Sequence, residues 1–290
     1  MVRDQSRTSF GIRRGIQPGM RREQMERAEE LFSKVPRVTL VFWVVKILAT
    51  TVGETGGDAL SMTLKLGYAV STLIFLGFFV VTLGAQVGSR RYHPLFYWAV
   101  VVATTTVGTT TSDYLDRTVG LGYVKSSIML FCAVLAVLAV WKLVTGKIEY
   151  EHIASRQNET FYWLTILVSN TLGTALGDFV ASSTGLGFER GALVFAGLIA
   201  VVAAAHSFTD IPDHILFWSA YVLTRPLGAT LGDTLTKSHN EGGLGLSRIT
   251  SSLVIAAAMV VVILLTSLRK QDQGWPQEVS RSEETPPEAA

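Results

Sequence analysis

Four aspartates, Asp58, Asp113, Asp178 and Asp233, each stand five residues after a glycine: Gly53, Gly108, Gly173 or Gly228. The same frame puts Trp43, Trp98, Trp163 and Trp218 ten residues before those glycines, with no gap. A charged residue at the centre of a bilayer costs roughly 2.5–3.5 kcal/mol on insertion scales, so packing alone would not retain four carboxylates there. The chemistry they offer is binding of a small cation or a proton. A structural reading stands beside it, in which the aspartates cap helices or turns near the far interface, where the cost is low. If each window is helical, residues four apart share a face. Lys46, Thr50, Glu54 and Asp58 then form one polar stripe, Thr105, Thr109 and Asp113 a second, Asn170, Thr174 and Asp178 a third, and Arg225 with Asp233 a fourth. Four stripes facing a common centre would line a cavity whose candidate ion ligands are Asp58, Asp113, Asp178, Asp233, Glu54, Thr50, Thr105 and Asn170. Its five acids against Lys46 and Arg225 give a formal balance of −3, which favours a cation. The two bases read as counter-ions of the acids, or as charges released when a cation or proton binds.

Gly53 with Gly57, Gly108 with Ser112, Gly173 with Gly177 and Gly228 with Gly232 are pairs of small residues four apart, which let helices approach closely in lipid. Local unwinding that frees carbonyls for an ion is the second reading of the same glycines.

These windows need apolar elements to carry them. The 290 residues are 49 % hydrophobic and only 17 % charged, with a mean hydropathy of +0.37. A soluble domain usually has roughly 25 % charged residues, so a soluble enzyme is not expected. Uncharged runs fill the intervals between Lys65 and Arg90, Arg190 and Asp210, and Arg248 and Arg269, with a shorter run at 126–141. Such runs approach or exceed the length that crosses a hydrocarbon core. Less clean segments at 38–64, 94–115, 160–183 and 214–235 alternate with them. The expected fold is all-α, a polytopic membrane bundle of eight transmembrane helices in four pseudo-repeated hairpins. Its repeats fall at about 38–92, 93–157, 158–212 and 213–268, between a basic arm at 1–37 and a disordered tail at 269–290.

In the arm, 22–34 reads as an amphipathic helix with Met25, Ala28, Leu31 and Phe32 on one face, either an interfacial anchor or a solvated arm. No apolar signal-peptide core precedes the first span. Lys and Arg are richer on the side that holds the arm, the Arg90-Arg91 pair, Lys142, Lys147, Arg156, Arg269 and Lys270 than on the side with Lys65, Arg117, Lys125, Arg190, Lys237 and Arg248. Both termini are therefore expected in the cytoplasm, with the chain in a cell (inner) membrane. The expected partners are the lipid bilayer and a small inorganic cation. The net charge of only +2 gives nucleic acid no support. No cofactor is expected. Cys132, the single cysteine, excludes a disulfide and a Cys-based metal site, and is expected to face lipid or pack. The four Trp read as a belt at the cytoplasmic interface. His93, His152, His206, His214 and His239 fall in or near loops without ligand spacing.

Successive aspartates are 55, 65 and 55 residues apart, so the two halves are related by a constant shift of 120, the mark of a duplicated pair of repeats. A second landmark, Leu66-Gly67-Tyr68, recurs as Leu121-Gly122-Tyr123 and Leu186-Gly187-Phe188, fourteen residues from motif glycine to landmark glycine. In the fourth copy Leu244-Gly245-Leu246 arrives three residues late, so that loop is altered. On the four Trp, the T-x-G motif and the following Asp, the chain resembles an uncharacterised bacterial family of integral membrane proteins. That family is built from four tandem two-helix repeats of unknown function, each with a recurring Trp. The resemblance covers about 41–268 and implies topology rather than function. The fourth copy departs from it with Pro226 where the others have Thr51, Thr106 and Thr171.

The functional expectation is a secondary transporter of a cation, either a metal ion or proton-coupled, since no G-x-x-x-x-G-K-[ST] occurs to draw on ATP. A non-transporting structural or signalling protein is the alternative, and an ion channel, suggested by the repeated T-V-G, ranks lower. An enzymatic role is not expected. An intramembrane aspartyl protease would need glycine three residues before its aspartate, where this chain has Thr55, Thr110, Ala175 and Thr230.

Overall fold

The computed structural model describes residues 36, 38–89, 93–148, 153 and 155–272, the side chains as far as Leu268. The arm with its expected helix at 22–34, His152 and the tail beyond 272 lie outside the described residues.

Each motif window is a single helix. α1 (Leu40–Asp58) starts at Thr39, whose hydroxyl accepts from the Phe42 N–H at 3.3 Å. α3 (Pro94–Asp113) starts on a proline, which fits the first turn because its missing N–H has no helical partner there. α5 (Arg156–Asp178) is capped by Ser155, and α7 (Asp213–Thr236) carries Pro226 in its interior. In the first three repeats the aspartate is followed directly by five π-helical residues, Ala59–Thr63, Tyr114–Thr118 and Phe179–Ser183. The chain then turns at the landmark glycine, with φ of 74° at Gly67, 72° at Gly122 and 78° at Gly187, a conformation glycine adopts without a Cβ penalty. There α2 (Gly67–Gly88), α4 (Gly122–Thr145) and α6 (Gly187–Phe208) begin. In the fourth repeat a 3-10 turn, His239–Glu241, replaces the π segment, and α8 (Arg248–Asp272) follows. The three extra residues fold back over the end of α7, where the Leu244 N–H donates to the Thr234 carbonyl and the Gly245 N–H to that of Lys237, both at 2.8 Å.

α1, α3, α5 and α7 form a closed inner ring, each packed on the next and α7 on α1. The outer helices are displaced by one repeat: α2 packs on α3, α4 on α5, α6 on α7, and α8 closes the circle on α1. This differs from the expected hairpins, because the two helices of one repeat make few contacts with each other. The physical reason lies in the short link, where the π segment and the left-handed glycine turn the second helix onto the neighbouring repeat. Each unit is thereby completed by its neighbours, as in other repeat architectures, but here the array closes on itself.

The motif glycines set the ring's tightness. A Cβ at Gly53 would run into the Thr105 side chain and lie 3.1 Å from the Thr105 carbonyl carbon. At Gly108 it would lie 3.0 Å from Asn170 backbone, at Gly173 2.6 Å from Arg225 Cβ, and at Gly228 2.9 Å from the Thr50 carbonyl carbon. Thr50, Thr105, Asn170 and Arg225 all stand three residues before their own glycine, so one contact recurs four times around the ring.

The outer helices expose apolar side chains away from the ring, among them Leu73, Leu143, Leu193 and Leu253. Cys132 is exposed on α4 among them. Among the described residues six segments are long and apolar enough to cross a membrane: Leu40–Thr63, Gly67–Gly88, Gly122–Thr145, Arg156–Ser183, Gly187–Phe208 and Arg248–Leu268. α3 and α7, richer in hydroxyl or charged residues, are not among the six.

Candidate functional site along the ring axis

Counting from each motif glycine, the positions eleven and seven before, three before, one after and five after are buried in all four repeats. Four residues of helix advance about 6 Å, so these positions stack as five layers along the axis. The first layer is Phe42, Tyr97, Tyr162 and Phe217; the second is Lys46, Val101, Ile166 and Tyr221. The third is Thr50, Thr105, Asn170 and Arg225, the fourth Glu54, Thr109, Thr174 and Ala229, and the fifth the four aspartates. All candidate ion ligands thus fall on the inner faces of the ring.

The aromatic layer is joined by the motif tryptophans. Phe42 meets Trp98 with ring centroids 5.6 Å apart, Tyr97 meets Trp163 at 5.4 Å, Tyr162 meets Trp218 at 6.0 Å, and Phe217 meets Trp43 at 5.8 Å. Tyr97 and Tyr162 also share a hydroxyl hydrogen bond of 2.8 Å. Trp98 and Trp163 are buried and Trp43 and Trp218 half-buried, which differs from a belt of Trp facing an interface. The reason is the aromatic residue directly before each Trp, which gives its neighbour an edge to pack against. That signal was present in the sequence at a constant offset.

In the third and fourth layers Arg225 breaks the fourfold likeness. From α7 its Nη2 reaches Glu54 Oε2 on α1 at 3.0 Å and Thr174 Oγ1 on α5 at 2.6 Å. It also donates to Thr109 Oγ1 on α3, the helix diagonally across the ring, so the guanidinium crosses the axis. Thr109 Oγ1 in turn lies 3.2 Å from Glu54 Oε2. Thr50 and Thr105 donate to the carbonyls of Thr224 and Ala49 on the preceding helix, both at 3.2 Å. Asn170 Nδ2 donates to Thr104 Oγ1 at 3.0 Å. Three of the hydroxyl and amide candidates are thus already spent on helix-to-helix bonds. Lys46 makes no ion pair among the described residues, and its Nζ sits 4.0 Å from the centre of the Tyr221 ring.

The aspartates are held in two groups. Arg117 Nε is 3.2 Å from Asp113 Oδ1, and its Nη2 is 3.5 Å from Asp178 Oδ2. Lys237 Nζ is 3.2 Å from Asp233 Oδ1 and 3.0 Å from Asp58 Oδ2, with Arg248 Nε at 3.4 Å from the same Asp58 oxygen. The balance of −3 counted the stripes alone, and Arg117, Lys237 and Arg248 restore it to zero. Their side chains fold back onto the layer instead of remaining in the flank. Arg117 and Lys237 each stand four residues after an aspartate and 120 apart, which is the legible signal that stripe counting missed. Asp116 is buried and accepts hydrogen bonds from Ser112 and Ser126. His93, His214 and His239 are exposed, and His206 pairs with Asp213 at 3.2 Å in an exposed turn.

The geometry defines a class: an all-α ring of four tandem two-helix repeats with a charged, buried axis. The match to the family model described as "Repeat of Unknown Function (DUF347)" falls on residues 41–92, 96–147, 161–211 and 216–272, and the chain belongs to that family. No curated protein and no solved structure matches it.

Proposed function

We propose that the chain is an integral membrane protein of eight spans, with both termini cytoplasmic, that carries protons or a small monovalent cation by way of its axial carboxylates. Support for the membrane comes from the apolar outer faces and the six long apolar segments, since an exposed apolar surface of this extent needs lipid or a partner to cover it. The Lys and Arg asymmetry of the flanks supports the orientation. Support for the cargo rests on one observation: among the described residues Asp113 and Asp178 share a single base, Arg117, and so carry a surplus negative charge, whereas the other pair has both Lys237 and Arg248. A surplus buried charge is costly unless compensated, and a proton or small cation compensates it. Two carboxylates already bound to a guanidinium offer too few free oxygens for the 6–8 ligands a calcium ion takes, which favours the proton or a monovalent ion. The guanidinium of Arg225 across the axis and the aromatic layer below it favour a carrier over an open channel.

The test is flux into vesicles holding the purified chain, followed with a pH dye or a sodium- or potassium-selective dye. Saturable flux is expected, lost in Asp113→Asn and Asp178→Asn variants that still insert and fold. Flux no greater than in protein-free vesicles would return the protein to the structural or signalling class, and flux retained in both variants would remove the carboxylates from the mechanism.

A further inference from the structure

Between the aromatic layer and the glutamate layer, three side chains carry polar atoms without partners among the described residues. Lys46 Nζ, Arg225 Nε and Nη1, and Tyr221 Oη are all buried and make no hydrogen bond among the described residues. They belong together. Tyr221 and Arg225 are one turn apart on α7, the Lys46 ammonium lies over the Tyr221 ring, and Arg225 is the charged neighbour of Lys46. α1 and α7 are pressed together here by the contact of Gly228 with Thr50, one turn on from Lys46. Glu54 on α1 is engaged by the third nitrogen of Arg225 and by Thr109, and among the described residues no acid pairs with Lys46.

We propose that Lys46, Tyr221 and Arg225 form a buried site for a small monovalent anion such as a halide or formate. Every free group there is an N–H or O–H donor, and none of the three side chains offers a charged acceptor. A cation is repelled by both bases. Burying such donors unpaired is unfavourable, and one anion accepting from an ammonium, a guanidinium and a phenol relieves all three at once. Along the axis the site lies about 12 Å (Arg225) to 18 Å (Lys46 and Tyr221) from the aspartate layer, so it is separate from the carboxylates proposed to carry the cation.

The experiment is thermal unfolding of the full-length chain in detergent, with sodium chloride, bromide or formate exchanged for sodium gluconate at constant ionic strength. A rise in midpoint with the small anions is expected, abolished in Lys46→Met, which keeps the chain length and removes the charge. Tyr221→Phe keeps the ring and should reduce the rise. No anion-dependent rise in the unaltered chain overturns the proposal, as does a full rise in Lys46→Met. Should that variant not fold, Tyr221→Phe decides: an undiminished rise overturns the proposal and a reduced one supports it. Asp178→Asn should keep the full anion response, so loss of cation flux and loss of anion binding are told apart.

Discussion

Replacing Gly53 by alanine tests the ring itself, with Gly56 as a matched control one turn further along α1. The two positions share a helix, and alanine adds up to about 1 kcal/mol of helix propensity at either. They differ in what the new methyl meets. At Gly56 its nearest neighbours are Ser252 Oγ at 3.9 Å and Thr106 Cγ2 at 4.0 Å, an ordinary contact. At Gly53 it would overlap the Thr105 side chain, and the Thr105 carbonyl carbon at 3.1 Å leaves that side chain nowhere to retreat. α3 must therefore withdraw from α1, which overpacking data put at about 1–3 kcal/mol. The withdrawal also stretches the bonds from Thr105 to the Ala49 carbonyl and from Thr109 to the Gly53 carbonyl, each 3.2 Å and each worth about 1 kcal/mol. The net expectation is a loss of about 2–4 kcal/mol for Gly53→Ala, against no change or a gain of up to about 1 kcal/mol for Gly56→Ala. Equilibrium unfolding in mixed micelles, titrated with a denaturing detergent and followed by circular dichroism, reads the difference. Equal midpoints for the two variants would refute the close-packed ring.

Lys237→Met strands Asp58 and Asp233 without their shared base and should cost about 3–5 kcal/mol in the same unfolding assay. Adding Asp233→Asn should recover part of that, because Asp58 keeps Arg248; a double variant no better than the single one would disprove the charge sharing. In the α7–α8 loop, the hydrogen bonds from the Ser238 hydroxyl and then its backbone N–H hold the Glu241 carboxyl below its ordinary 4.5. A depressed value stabilises the loop above the unfolded pKa, and that contribution fades as pH falls through the folded one. Amide exchange at 242–246 should therefore show protection declining below pH 4.5 in the unaltered chain, with no such step in Glu241→Gln.

Much of the ring was legible because one offset recurs four times. The glycine frame placed Lys46, Thr50, Glu54 and Asp58 on one helical face and gave each repeat its own version, and all of these residues are buried on the axis. The frame held further information that residue type alone did not flag. Phe42, Tyr97, Tyr162 and Phe217 share an offset as constant as that of the tryptophans, and Arg117 and Lys237 share another. A reading that treats Trp as an interface residue and flanking bases as topology signals passes over both.

What the amino-acid sequence by itself determined was periodic: the helices, their boundaries near Gly67, Gly122 and Gly187, the repeat of 120, and the residues sharing each face. These follow from local rules, the 3.6-residue turn and the freedom of glycine at positive φ, which need no knowledge of the neighbours. Only the tertiary structure decided which helix each face meets. That α2 packs on α3 instead of α1, that Arg225 reaches Glu54 171 residues away, and that Lys237 neutralises Asp58 across the closure of the ring depend on α7 lying against α1. No local pattern encodes that closure, because it arises when four equal steps around an axis bring the last repeat back to the first.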